Sequence, residues 1–244
     1  HVLSWGFPQN AVAAGSKLVL PGKFAAEEFG AIAQAFIEEK VTLANGAPAI
    51  FSPMLAMMKK MPQAPDLSGV RLVSGSSEPP LSLMRGFKEI TGAEVIHGYG
   101  ATETTPLATT NWKLKPGMDL SEEEGWDLKR SQGLPIIGVE MKIVDPAGEE
   151  LPRDGQSMGE ILMRGPWITE SYYKLPDNAE RFLDGWWRSG DVGVIDEHGY
   201  LKITDRLKDV IKSGGEWISS IDMENGILDN PNVKEAAVIG VPDE

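Results

Sequence analysis

Short apolar runs alternate with segments of helical period between residues 25 and 99, and this alternation constrains the fold most strongly. Residues 25–40 place Phe29, Ile32, Ala33, Phe36 and Ile37 on one helical face, with charges opposite. Residues 41–44 read as a short strand. Residues 48–60 form a second helix carrying Ile50, Met54, Leu55, Met57 and Met58; such a Met-rich helix reads as adaptable core. Residues 70–73 are a buried strand, 81–90 a helix, and 93–96 a further buried strand. Strands separated by helices predict an α/β layered architecture with a mainly parallel sheet. Upstream, residues 1–20 read as a helix-like segment ending at Gly15, then a strand over 17–20 closed by Pro21-Gly22.

Open parallel sheets bind ligands at the carboxyl ends of their strands. Two loops fall there. The first is Ser74-Gly75-Ser76-Ser77-Glu78-Pro79-Pro80. The second is His97-Gly98-Tyr99-Gly100-Ala101-Thr102-Glu103-Thr104-Thr105-Pro106. Its glycines permit a sharp turn and close approach to a ligand. An aromatic, several hydroxyls and one carboxylate arrive together, a set able to stack a planar base, bond phosphate oxygens and hold a divalent cation. Mg²⁺ usually takes one or two carboxylates plus substrate phosphates. Taken alone, the same residues also suit an ordinary strand-to-loop turn.

After Gly133 the texture becomes antiparallel. Residues 139–144 and 159–163 alternate, with a turn at 145–148. Residues 177–183 read as a short helix. Residues 192–195 and 200–204 form a hairpin around Asp196-Glu197-His198-Gly199, where His198 is structural or solvated. The acidic stretch 120–126 reads as a short capped helix with a solvated face. Ser219 or Ser220 caps a helix through residue 228, and 233–241 is the next strand. The expected organisation is an α/β part (1–132), a β-rich subdomain (133–207) and the start of a small α+β carboxy-terminal domain (208–244).

Composition narrows the function. The 244-residue chain is 41% hydrophobic, enough for a packed core. It has no cysteine, which removes disulfides, zinc–thiolate sites and thiol catalysis. A formal charge of −13 argues against a nucleic-acid partner. No run approaches the roughly 18 apolar residues of a membrane span, so no integral membrane segment is expected.

Three stretches in order carry a resemblance: Tyr99-Gly100-Ala101-Thr102-Glu103, Trp187-Arg188-Ser189-Gly190-Asp191, and Arg206-Leu207-Lys208-Asp209-Val210-Ile211-Lys212-Ser213-Gly214-Gly215-Glu216. Together they resemble the AMP-forming acyl-CoA synthetases, in the superfamily that includes luciferases and peptide-synthetase adenylation domains. The resemblance runs the whole chain and implies that ATP, Mg²⁺ and coenzyme A serve as co-substrates and cofactor. It implies that Gly75, Ser76, Ser77 and Glu78 pack on one face of adenine and Tyr99 on the other, with His97, Gly98 and Gly100 shaping the site. Thr102 would bond the α-phosphate and Glu103 would hold Mg²⁺. His1 would sit beside the bound carboxylate. Asp191 would accept both ribose hydroxyls, and Arg206 would lie on the ribose and phosphate side. Lys208 would be the hinge of a rotating domain, and Lys212, Ser213, Gly214 and Gly215 would line the coenzyme A tunnel. The first loop departs from the pattern, since many relatives carry small residues where this chain has Ser77-Glu78-Pro79.

The resemblance also implies parts not seen here: a phosphate loop before His1 and a catalytic lysine beyond Glu244. The chain is therefore read as an internal fragment, inactive alone. Val19-Leu20-Pro21-Gly22, the Trp-containing acidic segment and Gly133-Leu134-Pro135 look most like medium- or long-chain fatty-acyl-CoA ligases. Short-chain and aryl acids, and a luciferase-like adenylating enzyme, remain open. So does a non-catalytic nucleotide-binding module. A cytoplasmic location, with peripheral membrane association open, and a homodimer are compatible with this reading.

Overall fold

The computed structural model describes residues 4, 6–22, 29–176, 178–213, 216–220, 223–224, 227, 230, 233 and 236–241. They divide into two units, His1–Ile136 and Ile137–Glu244.

The first unit is the α/β layer that the alternation predicts. Its elements are α1 (Phe7–Ala13), α2 (Phe29–Glu38), β1 (Leu43–Gly46), α3 (Pro48–Met58), β2 (Arg71–Ser74), α4 (Leu81–Thr91), β3 (Glu94–Tyr99), β4 (Thr109–Thr110), α5 (Glu122–Arg130) and β5 (Leu134–Pro135). The sheet order is β1-β2-β3-β4-β5. β1, β2 and β3 are parallel, and β4 and β5 extend the sheet antiparallel. In register, Ser74 lies between Gly46 and His97, so β1 and β2 end level while β3 runs on to Tyr99.

Helices α2, α3 and α4 supply the core against this sheet. Phe51 and Phe87 meet edge to face at 6.3 Å, among Met54, Met58, Leu72 and Leu83. Met54 and Met58 are fully enclosed, whereas Met57 is exposed, so the Met-rich helix is core along one side only. Helix α5 starts on a reciprocal cap: Ser121 Oγ accepts from Glu124 N, and Glu124 returns to Ser121 N. The Ser121 hydroxyl also donates to the Glu124 carboxylate at 2.6 Å and, with the bond from Ser121 N, holds that carboxyl below its usual range. Residues 16–22 form no strand, against expectation. Leu20 is exposed, and among the described residues no strand pairs with this short apolar run.

The second unit is antiparallel. It contains β6 (Glu140–Val144), β7 (Gly159–Arg164), β8 (Phe182–Leu183), β9 (Trp186–Ile195), β10 (Leu201–Arg206), β11 (Ile211–Ser213) and β12 (Glu216–Ile218). The main sheet runs β10-β9-β7-β6, with β8 on β9; β11 and β12 form a separate hairpin.

Three expectations change here. The helix over 177–183 is a 3-10 turn, Asn178–Arg181, followed by β8, because Phe182 and Leu183 pair with Trp187 and Trp186. β9 is ten residues long, so Trp186 to Asp191 belongs to the strand instead of preceding it. The described residues of 233–241 carry no strand. The helix expected through residue 228 falls largely outside the described residues, although Met223 N donates to Ser219 O at 3.3 Å. No helix among the described residues is long and apolar enough to cross a membrane.

Candidate nucleotide site

The first loop leaves β2 at Ser74. Gly75 N donates to Gly46 O at 3.1 Å, and Ser76 turns the chain with a left-handed backbone, φ 72°. Ser76, Ser77 and Glu78 are exposed. Glu78 Oε1 lies 2.9 Å from Arg130 Nε, a half-exposed pair worth at most about 1 kcal/mol. Ser74 Oγ is fully buried and has no hydrogen-bond partner.

The second loop leaves β3. His97 is 3% exposed, and its Nδ1 donates to Arg130 O at 2.7 Å. Burial pushes its pKa below the ordinary value, against the opposing pull of the Arg130 and Ser131 carbonyls. Arg130, which sequence reading passed over, thus meets both loops: its carbonyl holds His97 and its guanidinium holds Glu78.

Beyond Tyr99 the chain closes on itself. Ala108 N donates to Tyr99 O at 2.8 Å. A Cβ on Gly100 would collide with the Pro106 carbonyl oxygen and sit 2.7 Å from Thr104 Oγ1. Only glycine fits there. Thr102–Thr104 form a 3-10 turn. Thr104 is fully buried. Its hydroxyl accepts from Ala101 N at 2.8 Å and can donate to Pro106 O at 3.0 Å or Ala101 O at 3.1 Å. Thr104 is therefore the internal brace of the turn, and it was also missed by sequence reading. The brace leaves Thr102 exposed and Glu103 half-buried at the end of the sheet.

The other predicted group lies in the second unit. Asp191 and Arg206 stand opposite each other on β9 and β10, with Arg206 Nε 2.8 Å from Asp191 Oδ1. Asp191 is 6% exposed, whereas the Arg206 side chain is largely open to solvent. Ser189 Oγ accepts from Asp191 N at 3.0 Å and donates to Ile161 O at 2.7 Å, which ties this part of β9 to β7. Lys208 is exposed in the turn after β10, where Asp209 N and Val210 N both donate to Arg206 O. Lys212 and Ser213 lie in β11, paired with Trp217 and Glu216. His1, Gly214 and Gly215 lie outside the described residues.

Among the described residues no group of three or more His, Cys, Asp or Glu converges as a ready-made metal cage. One carboxylate, Glu103, next to a hydroxyl, Thr102, fits Mg²⁺ that completes its shell with phosphate oxygens and water.

A family model described as AMP-binding enzyme matches residues 1–173. The chain belongs to that family of AMP-binding enzymes. It is 41% identical over 244 residues to a medium-chain-fatty-acid–CoA ligase of Ectopseudomonas oleovorans, covering 100% of this chain and 44% of the relative. It is 42% identical over 245 residues to a long-chain-fatty-acid–CoA ligase of Thermus thermophilus, covering 99% and 44%. Among solved structures, O-succinylbenzoate coenzyme A synthetase from Bacillus subtilis, in complex with ATP and magnesium ion, aligns with a TM-score of 0.80 at 27% identity, over 100% of this chain and 47% of that one. The chain thus spans less than half the length of these relatives.

Proposed function

We propose that the protein carrying this chain activates a carboxylic acid with ATP, releasing pyrophosphate, and passes the acyl group to coenzyme A with release of AMP. The acid is a medium- or long-chain fatty acid in this reading. The observation that carries it is the braced Thr102–Thr104 turn at the end of a parallel sheet, in a chain about two-fifths identical to fatty-acid–CoA ligases over its whole length.

In this reading each group takes the role that the family resemblance implies. Tyr99 and the Gly75–Glu78 loop bracket the base, and Thr102 donates to the α-phosphate. Glu103 would hold Mg²⁺, which when bound offsets charge on the phosphates. His97 acts by holding β3 to the end of α5, since its ring faces Arg130. Asp191 takes the ribose hydroxyls, and the forked guanidinium of Arg206 serves ribose and phosphate. His1 would accompany the carboxylate. Residues 1–132 and 133–207 belong to the large adenylating domain and 208–244 to a mobile one. Lys208 is the hinge, and Lys212, Ser213, Gly214 and Gly215 line the thiol tunnel. Catalysis is mainly positioning and charge stabilisation at the α-phosphate.

The test uses the whole protein: coenzyme A-dependent AMP formation across straight-chain acids from acetate to stearate, plus benzoate and cinnamate. An optimum among the longer straight-chain acids is expected. Glu103→Ala should lower pyrophosphate exchange on the order of a hundred-fold or more. A preference for benzoate or cinnamate would overturn the acid class, and no AMP with any acid would overturn the reaction.

A further inference from the structure

Asp205 is a buried carboxylate to which the reaction above gives no task. It is 3% exposed at the end of β10. Both oxygens are bound by main-chain N–H groups. Oδ1 accepts from Arg206 N at 2.7 Å, and Oδ2 accepts from Ser220 N at 2.8 Å. Beside it, Ser219 Oγ donates to Thr204 O at 2.6 Å. Thr204, Ser219 and Ser220 are all buried as well.

The donors and acceptors fall on opposite sides of Lys208. Thr204 and Asp205 precede the turn at Lys208, whereas Ser219 and Ser220 follow the β11–β12 hairpin. The Thr204 carbonyl is available to accept from Ser219 because β10 bulges there. The pairing steps from Ile203↔Gly193 to Asp205↔Val192, leaving Thr204 out of the ladder. A swing of the chain about Lys208 that carries residues 219–220 away must break both bonds and uncover the Asp205 carboxylate.

We infer that Asp205, with Ser219, is a positioning clasp that holds the segment after Lys208 against β10 and sets how often it is released. This rests on the two-step reading above, with Lys208 as its hinge. A ligand that favours one arrangement can shift the balance only by its differential affinity, so a clasp made in one arrangement biases that balance directly. Asp205 also holds the backbone of Arg206, so the clasp joins the nucleotide side of the hinge to the thiol side.

The experiment uses the whole protein with Asp205→Asn and Ser219→Ala, the latter removing the hydroxyl bonded to Thr204 O. Amide exchange across residues 216–220 should quicken on the order of ten-fold in both variants, with β7 and β9 unchanged, as expected for loss of a charge-assisted or buried bond. The ratio of acyl transfer from preformed adenylate to pyrophosphate exchange should shift by a similar factor, in the same direction in both variants. A lesion that merely loosened the fold would lower the two half-reactions together. Unchanged exchange at 216–220, or an equal fall in both half-reactions, overturns the clasp. A parent protein without adenylation would sink the reaction instead, and the exchange measurement would then decide the clasp alone. If Asp205→Asn does not fold, Ser219→Ala carries both readouts.

Discussion

The Thr102–Thr104 turn and the Asp191–Arg206 pair use polar side chains in opposite ways. In the turn, the polar atom that matters is hidden. Thr104 spends its hydroxyl on main-chain groups inside the loop, so Thr102 and Glu103 are presented by a backbone that is already set. In the pair, the two side chains hold each other, and one of them stands in solvent. The first region is preorganised by buried bonds that a ligand need not disturb. The second can trade its ion pair for ligand contacts, because an exposed guanidinium loses little when it lets go. A rigid platform and an exchangeable pair are two ways to prepare polar groups for a ligand.

The largest break in this comparison comes from Thr104→Val, which keeps the shape and removes the hydroxyl. It leaves Ala101 N and Pro106 O short of a partner, so stability to denaturant should fall by about 1–3 kcal/mol. Pyrophosphate exchange should fall about ten- to a hundred-fold as Thr102 and Glu103 drift. Thr104→Ser should recover most of both. Wild-type exchange in the valine variant would show that the turn does not need its brace.

A smaller effect comes from acid. Burial holds the His97 pKa below its ordinary value, so the unfolded chain binds that proton more readily. This contribution to stability is complete above about pH 6.5, the unfolded value, and is lost as pH falls toward the lowered folded one. Unfolding midpoints at mildly acidic and neutral pH should therefore diverge in the parent, and less so in His97→Gln. Parallel curves would mean that His97 titrates as it does in the unfolded chain.

The smallest stability change should follow Arg206→Lys, within about 1 kcal/mol because a cation still faces the buried Asp191 carboxylate and its own head stays solvated. Its nucleotide affinity should fall nonetheless, measurable by calorimetry with AMP. A stability loss as large as that of Thr104→Val would erase the distinction between the two regions.

Periodic features were legible in the sequence. The helices over 48–60 and 81–90 stand where their spacing puts them, as α3 and α4, because an apolar face three or four residues apart has few other ways to be buried. What failed had its cause elsewhere in the chain. Trp186 to Ser189 becomes strand because β7 and β8 lie alongside to pair with it. Ser189-Gly190 gives a weak strand signal by itself. Within the site, Thr102 and Glu103 were legible as polar residues after a strand. Thr104 and Arg130 were not, since their roles exist only through contacts made once the loops have closed.

One detail of β10 decides the sign of the charge facing Asp191. With an unbroken ladder from Ile203↔Gly193, the residue across from Asp191 would be Asp205, and two carboxylates would confront each other. The extra residue at Thr204 moves the count by one and brings Arg206 there instead. Polarity at this spot is thus a matter of parity. Deleting a single residue from the strand would turn attraction into repulsion without altering either side chain.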